Sequence, residues 1–377
     1  MIAPPPAPPS SRSPWRRVVD RLATGLIAAG GIGVIVALLA IGAFLALEVL
    51  PALLSGSLSR EQVVASLTPL AWGTLKAAFW ALVFAIPLAL GAAIHSAAFM
   101  SQRLRSRLKP TLELMEALPG VVIGFVAGLV LAPWVERHLA GALALLLVLP
   151  PGALLAGGLW RCLPTPLRRR LPLAWAGLWL VPWLALLGLA ALTLAPALEA
   201  GWFAGDLRGW LDRELGLDYA SRNALIVGLA MGFAVMPSVY ALAEDALSGV
   251  PASLGEGAQA LGASRWQTLW KVVLPTAAPG IFAAVMIGAG RAVGETMIVL
   301  MASGNTALMS LSPLEGMRSM AAGIAIELPE AVPGSDPYRL LMLAALLLFL
   351  FTFLVNTLAE AVRDRLRRRY RRLGGGA

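Results

Sequence analysis

A series of eight long apolar runs most constrains how this chain can fold. Each run exceeds the ~18 residues that indicate a transmembrane helix. The runs are continuous and rich in Leu and Ala, whereas the strands of a membrane barrel alternate apolar and polar residues. The chain is 58% hydrophobic and 14% charged, too little charge for a soluble protein of this size. We therefore predict an all-α polytopic membrane protein with spans at about 23–50, 69–98, 113–134, 139–160, 172–198, 223–247, 277–303 and 338–360.

The positive charge of the chain is distributed as a topology signal. The net charge is +9, and Lys and Arg cluster at the ends of the apolar runs. With eight spans they divide roughly three to one between the two sides. This bias predicts that both termini are cytoplasmic in an inner membrane, and it argues against nucleic acid as a partner.

These signals divide the chain into four parts. We expect a disordered basic arm at 1–22, a first transmembrane helix with an external loop at 23–64, a transmembrane domain at 65–362 and a basic tail at 363–377. Within the transmembrane domain we predict three features: an extra helix pair at 139–199, a cytoplasmic loop at 248–275 and a periplasmic segment at 304–337.

The cytoplasmic loop contains the sequence EGAQALGASRWQTLWKVVLP at 256–275. Ser253 with Glu256, and Ser264 with Gln267, have the spacing of capping boxes. Gly262 lies between them, where a left-handed residue would end a helix. The loop is thus predicted to form two short helices joined by a tight turn.

The two short helices would present different surfaces. The first carries the small residues Gly257 and Ala258, and the second carries large apolar residues, namely Trp266, Leu269 and Trp270. We expect Pro275 and Pro279 to end this element and to restart the next membrane helix. The spacing alone fits either docking of a partner protein or an amphipathic helix on the bilayer surface.

Two charged residues lie inside the seventh span, in GAGRAVGETMIVLMASGN at 288–305. Arg291 and Glu295 are four residues apart and should share a helix face. A charge inside the membrane is expensive unless it is paired or lines a hydrated path. We hypothesise that Glu295 holds Arg291 and yields it to an anion in transit. A purely structural ion pair is the alternative.

Other polar residues have weaker signals. We expect Lys76 near the outer end of the second span, where it either snorkels to the membrane interface or lies at the entrance of the pathway. Ser303 and Asn305 could present polar groups at the outer mouth, and Glu244 and Asp245 are expected to be solvated. The chain has no metal-ligand spacing and no Walker A pattern, so we predict no metal site, no catalytic residues and no enzymatic activity.

The cytoplasmic loop resembles the EAA loop of ABC-importer permeases, with matching residues Glu256, Ala258, Gly262, Val272, Leu274 and Pro275. The sequence departs from that pattern at Gly257, where alanine is usual, and at Val272, where isoleucine is usual. The resemblance implies a type I ABC-importer permease fold. It also implies that the loop fits a cleft on an ATP-hydrolysing subunit.

The string GRAVGETM at 290–297 resembles the permease subunits of the Pst phosphate importer, especially the PstC type. Three further segments, 113–125, 223–251 and 315–331, look like the same subunit. The resemblance implies a role for Arg291 and Glu295 in phosphate passage. It implies as partners a second permease subunit of the PstA type, an ATPase dimer of the PstB type that binds ATP and Mg, a periplasmic phosphate-binding protein of the PstS type and membrane lipid.

Several alternatives stay open at this point. The substrate could be molybdate or sulfate, and the chain could be the PstA-type partner. A gradient-driven secondary transporter is less consistent, because we find neither an inverted repeat nor several buried carboxylates. A scaffold that regulates a phosphate-sensing kinase could coexist with transport. The extra pair at 139–199 goes beyond the six spans common in the family, and its role is not apparent from the sequence.

Overall fold

A computed structural model describes residues 14–54, 59–170 and 176–374 of the chain. These residues contain eight helices that are long and apolar enough to cross a membrane. The prediction of an all-α polytopic protein is therefore confirmed. The helices are Val18–Leu54, Arg60–Ala98, Gly120–Arg137, Leu139–Cys162, Trp179–Trp202, Ala224–Ser248, Arg265–Gly294 and Asp336–Arg365.

Residues 1–58 form a unit of their own, whose described part is a single helix, α1 (Pro14–Leu54). The expected disordered arm at 1–22 differs from this structure, because residues 14–22 are helical. Pro14 stands at the start of the helix, where its missing N–H leaves no hydrogen bond unmade. Residues 1–13 lie outside the described residues.

Residues 59–377 form the second unit. Its helices are α2 (Arg60–Ala98), α3 (Gln102–Glu116), α4 (Gly120–Val126), α5 (Ala132–Arg137), α6 (Leu139–Cys162), α7 (Thr165–Arg170), α8 (Ala176–Trp202), α9 (Leu207–Leu215), α10 (Ala224–Ser248), α11 (Ala252–Ala260), α12 (Arg265–Thr268), α13 (Leu274–Gly294), α14 (Met297–Ala302), α15 (Met320–Glu327) and α16 (Asp336–Gly374). π-Helical turns at Ala127–Leu131 and Leu269–Val273 join α4 to α5 and α12 to α13.

Helix α10 is the centre of the second unit and packs mainly against α2 and α13. In its most apolar stretch, 72% of the residues are buried. On α2, fully buried alanines recur at every fourth position, at Ala81, Ala85, Ala89 and Ala93. Four-residue spacing puts them on one face of the helix. Small side chains there let helix backbones approach closely, as is typical of packing inside membranes.

Two of the membrane spans are broken. The span predicted at 113–134 is interrupted, because α3 ends at Glu116 and α4 begins at Gly120. The seventh span ends at Gly294, and α14 starts at Met297. Helices α4 and α14 then run side by side, because Gly124 lies against Met297 and Ile298 with no room for a side chain. The two breaks therefore lie at the same level of the fold.

The extra helices α6 and α8 pack against each other. The Trp183 indole donates a hydrogen bond across the pair to the Gly152 carbonyl at 3.0 Å. Residues 171–175 lie outside the described part of the chain.

Residues 304–337 combine turns with one short helix. They contain α15, whose N-terminus is capped by Ser319. The segment is fastened to α2 by two hydrogen bonds: Trp72 Nε1 donates to the Ser310 carbonyl at 3.0 Å, and the Met320 amide donates to Thr74 Oγ1 at 2.9 Å. Its periplasmic location remains a prediction.

Candidate functional site

Three polar side chains meet close to the breaks in the two membrane spans. The Arg291 guanidinium donates to Glu116 Oε1 at 2.9 Å and to Ser238 Oγ at 2.5 Å. The Ser238 hydroxyl donates in turn to Glu116 Oε1 at 2.7 Å. We call this ring of Glu116, Ser238 and Arg291 the arginine cluster. It joins α3, α10 and α13.

The predicted pairing of Arg291 with Glu295 is wrong. Helix α13 ends at Gly294, and Glu295 has extended backbone with φ −70° and ψ 121°. The four-residue rule applies only while the helix continues, so Glu295 leaves the face that carries Arg291. Its carboxylate instead accepts a long hydrogen bond from the amide of Ile298 at 3.5 Å, at the start of α14.

The arginine cluster is reachable from outside the chain. The side chains of Arg291 and Glu116 are 33% and 42% exposed. Arg291 also borders a cavity of about 440 Å³ between α13 and α16, whose polar lining includes Asn356, Glu360 and Arg363. Ser238 lies ten residues before the end of α10, or about 15 Å along the helix axis. The cluster is thus well inside the span rather than at its end.

This arrangement can bind an oxyanion. A guanidinium presents several N–H donors in a planar fork that matches carboxylate and phosphate oxygens. One oxyanion, the Glu116 carboxylate, already occupies part of that fork. The neighbouring cavity is larger than a small tetrahedral anion requires, and the Asn356 amide adds a neutral polar group beside the arginine.

Three other predicted pathway residues lie elsewhere. Lys76 does not snorkel: it is only 5% exposed, and its ammonium has no hydrogen-bond partner among the described residues, although Glu315 is close enough to interact electrostatically. Ser303 is fully buried, and its hydroxyl accepts a hydrogen bond from the Asn305 amide at 3.2 Å. Asn305 accepts from Arg318 Nε at 2.9 Å. Ser303 and Asn305 thus shape a turn, and the part of all three in transport remains a prediction.

The loop that was predicted to be cytoplasmic forms the expected pair of short helices, α11 and α12. Gly262 has φ +91°, the left-handed conformation that favours glycine. The turn is a Schellman motif, in which the amides of Gly262 and Ala263 donate to the carbonyls of Gln259 and Ala258 at 2.9 and 3.1 Å. We call residues 251–275 the coupling segment. Its backbone is thus defined by its own local hydrogen bonds.

Only one of the two predicted capping boxes forms. Ser264 and Gln267 cap α12 reciprocally. The box of Ser253 and Glu256 is wrong, because α11 begins one residue after Pro251 and has no side-chain cap. Pro275 lies in the first turn of α13, as expected, but it does not end the preceding element. The π-helical turn Leu269–Val273 carries the helix past it into α13.

The coupling segment presents exposed apolar groups. Trp266 and Trp270 are 54% and 55% exposed, and their rings meet edge to face with centroids 5.7 Å apart. Leu261, beside the turn, is 92% exposed. The expected exposure of Leu269 is wrong, because this side chain faces inward and is 3% exposed. Glu256 and Gly257 are exposed, Ala258 is half-buried, and Leu274 and Pro275 are half-buried where α13 starts.

A second ionic cluster lies where α10 meets the coupling segment. Glu244 was expected to be solvated, but it is fully buried and forms an ion pair with Arg105 of α3. Lys109 approaches Glu244 at 3.5 Å and Asp245 at 2.5 Å. The hydrogen bond from Lys109 to Asp245 raises the pKa of the lysine. We call Arg105, Lys109, Glu244 and Asp245 the glutamate cluster.

Sequence reasoning missed Glu116, Ser238 and Asn356. Glu116 had a detectable signal, since it is a carboxylate three residues before Pro119-Gly120 in an apolar run. Asn356 is likewise a lone amide in the last apolar run. Ser238 has no such signal, because serine is common in membrane helices.

Comparison with known proteins places this fold in a family. Residues 85–372 match the profile of the family described as binding-protein-dependent transport system inner membrane component. Two similar proteins are each named phosphate transport system permease protein: PstC from Pasteurella multocida, which is 27% identical over 79% of this chain and 74% of its own length, and PstC 1 from Mycobacterium bovis, which is 28% identical over 82% and 75%. A PstC from Mesorhizobium japonicum is 30% identical over 61% of this chain and 72% of its own length. Together with the eight apolar helices, these matches make the chain a multi-pass inner-membrane protein. It belongs to the family of binding-protein-dependent transport system inner membrane components.

Proposed function

We propose that this chain is the permease subunit of an ATP-driven importer of inorganic phosphate. The observation that carries the proposal is the arginine cluster. A guanidinium lies inside a membrane span, is 33% exposed, borders a cavity and already binds one oxyanion, that of Glu116. The relatives named as phosphate transport permeases support phosphate over molybdate or sulfate.

The coupling segment supports energy input from a partner. Two exposed tryptophans and an exposed leucine on a rigid helical turn form an apolar surface that a protein partner could cover. An ATPase dimer of the PstB type would dock there and would hold ATP and Mg, so this chain would need no cofactor of its own.

The exposed polar residues of the arginine cluster support a further partner. A guanidinium and a carboxylate that are partly open at membrane depth would be costly against lipid. A second permease subunit of the PstA type would cover them and complete the pathway. A phosphate-binding protein of the PstS type would deliver the anion at the outer face, and a phosphate-sensing kinase could respond to the assembled importer.

The proposal predicts that Arg291→Gln abolishes most phosphate uptake. Glutamine keeps much of the side-chain shape but removes the charge that attracts an oxyanion, so we expect a loss of about tenfold or more. The measurement is uptake of labelled phosphate into proteoliposomes that contain this chain with its permease, ATPase and binding-protein partners. ATP hydrolysis is followed in the same samples.

The matched control is Arg213→Gln, which removes an exposed arginine from α9. It should transport like the wild type. If the wild type took up molybdate or sulfate but no phosphate, the proposed substrate would be wrong. Equal uptake by Arg291→Gln and Arg213→Gln would contradict the assigned role of the arginine.

A further inference from the structure

Glu116 and the proposed substrate are chemically alike. Both present negatively charged oxygens that accept hydrogen bonds from a guanidinium. Glu116 Oε1 accepts at once from Arg291 Nη1 at 2.9 Å and from Ser238 Oγ at 2.7 Å. An incoming oxyanion must therefore compete with Glu116 for Arg291.

Glu116 is also the last residue of a helix that is held at both ends. Helix α3 spans 15 residues, has no buried residue and packs antiparallel to the second half of α10. At its far end, Arg105 pairs with the buried Glu244 and donates a hydrogen bond to Ser248. Lys109 adds contacts to Glu244 and Asp245. Ionic contacts at both ends of α3 thus add to the apolar contact that Leu112 makes with the core.

The far end of α3 reaches the base of the coupling segment. Ser248 is the last residue of α10, and α11 starts at Ala252. Arg105 and Glu116 are eleven residues apart, about 16 Å along a rigid helix. At the other side of Glu116, the helix breaks at Ala117–Pro119 before α4 begins. Helix α3 can therefore move as one rod about that break.

We propose that Glu116 is the internal counter-ion that the substrate oxyanion displaces from Arg291, and that α3 carries this displacement to the coupling segment. The inference rests on the proposed function. Without substrate, Glu116 holds Arg291 and keeps α3 along α10. When an oxyanion takes the guanidinium, Glu116 is released, and the shift of α3 changes how Arg105 holds Glu244 and Ser248. Glu116 also assists release, because its return to Arg291 expels the anion.

The reconstituted importer, with phosphate as the probe, tests both steps. Glu116→Gln should lower KM for phosphate and lower kcat, each by roughly the tenfold that one charge-assisted hydrogen bond supplies. It should also raise ATP hydrolysis in the absence of phosphate, because α3 is no longer held. Glu116→Asp keeps the charge, so its KM and kcat should lie between those of Glu116→Gln and the wild type. A variant that merely loses structure would lower kcat without lowering KM.

Arg105→Gln tests the far end of α3. It should leave KM unchanged while ATP hydrolysis loses its dependence on phosphate. The matched controls are Glu113→Gln and Arg107→Gln, which remove the same charges from exposed positions of the same helix. Both should behave like the wild type.

Three outcomes would overturn the inference. If Glu116→Gln had the same KM and kcat as Glu113→Gln, Glu116 would not be the counter-ion of Arg291. If Arg105→Gln kept phosphate-stimulated ATP hydrolysis, α3 would not carry the displacement of Glu116 to the coupling segment. Absence of phosphate uptake by the wild-type importer would refute the proposed function, and this inference with it.

Discussion

The arginine cluster and the glutamate cluster contain the same kinds of side chain but differ in the burial of their charged groups. In the arginine cluster, the carboxylate of Glu116 contacts the guanidinium of Arg291 and the hydroxyl of Ser238. In the glutamate cluster, the carboxylate of Glu244 contacts the guanidinium of Arg105 and the hydroxyl of the neighbouring Ser248. In the glutamate cluster the carboxylate is fully buried, with two cations around it. In the arginine cluster both charges stay at least one-third exposed and have one another as ionic partners. A buried charge must keep its partners, whereas an exposed pair can exchange one of them for a ligand.

The largest expected effect on stability is that of Glu244→Gln. Glutamine removes the charge that compensates Arg105 and Lys109, and breaking a buried pair is strongly destabilising. We expect the free energy of unfolding to fall by about 2–3 kcal/mol, below the range for full burial because Arg105 stays partly exposed. Thermal unfolding of the purified protein measures this. Asp245→Asn, at a carboxylate that is 61% exposed, should change it by less than about 1 kcal/mol. Equal effects of the two variants would remove the distinction between buried and exposed charge.

A pair of serine variants sharpens the comparison at an intermediate size. Ser238 donates to Glu116 at 2.7 Å, and Ser248 donates to Glu244 at 2.9 Å. Removing either hydroxyl deletes this hydrogen bond and the one that the hydroxyl accepts from Arg291 or Arg105, each worth about 1 kcal/mol. Ser238→Ala should change the KM for phosphate a few-fold. Ser248→Ala should lower stability and leave the KM for phosphate unchanged. A change of KM in Ser248→Ala and not in Ser238→Ala would reverse the assignment of the two clusters.

The smallest expected effect is the pH dependence at Lys109. Asp245 raises the pKa of this lysine above its usual value of 10.5. A raised folded-state pKa contributes stability that is fully present below the usual pKa and is lost as pH rises through the folded pKa. The stability difference between the wild type and Lys109→Gln should therefore be constant near neutral pH and shrink above pH 10.5. It should stay below about 1 kcal/mol, because both groups are partly exposed.

Unfolding curves across the alkaline range check this prediction, with Lys271→Gln as the control. Lys271 is an exposed lysine in the coupling segment. A difference that grows above pH 10.5 would show that the lysine has the opposite shift.

Local signals were predicted well. The eight spans follow from hydropathy, a property of consecutive residues. The turn at Gly262 and the capping box of Ser264 and Gln267 follow from hydrogen bonds that close within a few residues. The failed box at Ser253 shows the limit of such motifs, because Pro251 started α11 earlier than the motif required.

Partners and burial were predicted poorly. The four-residue spacing of Arg291 and Glu295 assumed a helix that in fact ends between them. Glu244 and Lys76 were expected at solvent or at an interface, yet helices from distant parts of the chain cover both. Hydropathy cannot show which face of a helix its neighbours will cover.

By itself, the sequence determined the number and course of the membrane helices and the shape of the coupling segment. It also carried the family resemblance that the comparisons confirmed. Only the tertiary structure decided that Arg291 binds Glu116 and that Glu244 is buried under Arg105. The hydrogen bond from Ser238 to Glu116 joins residues 122 positions apart. Such a contact exists only once α3 lies along α10, and that packing depends on where the two spans break and on side chains from both helices at once.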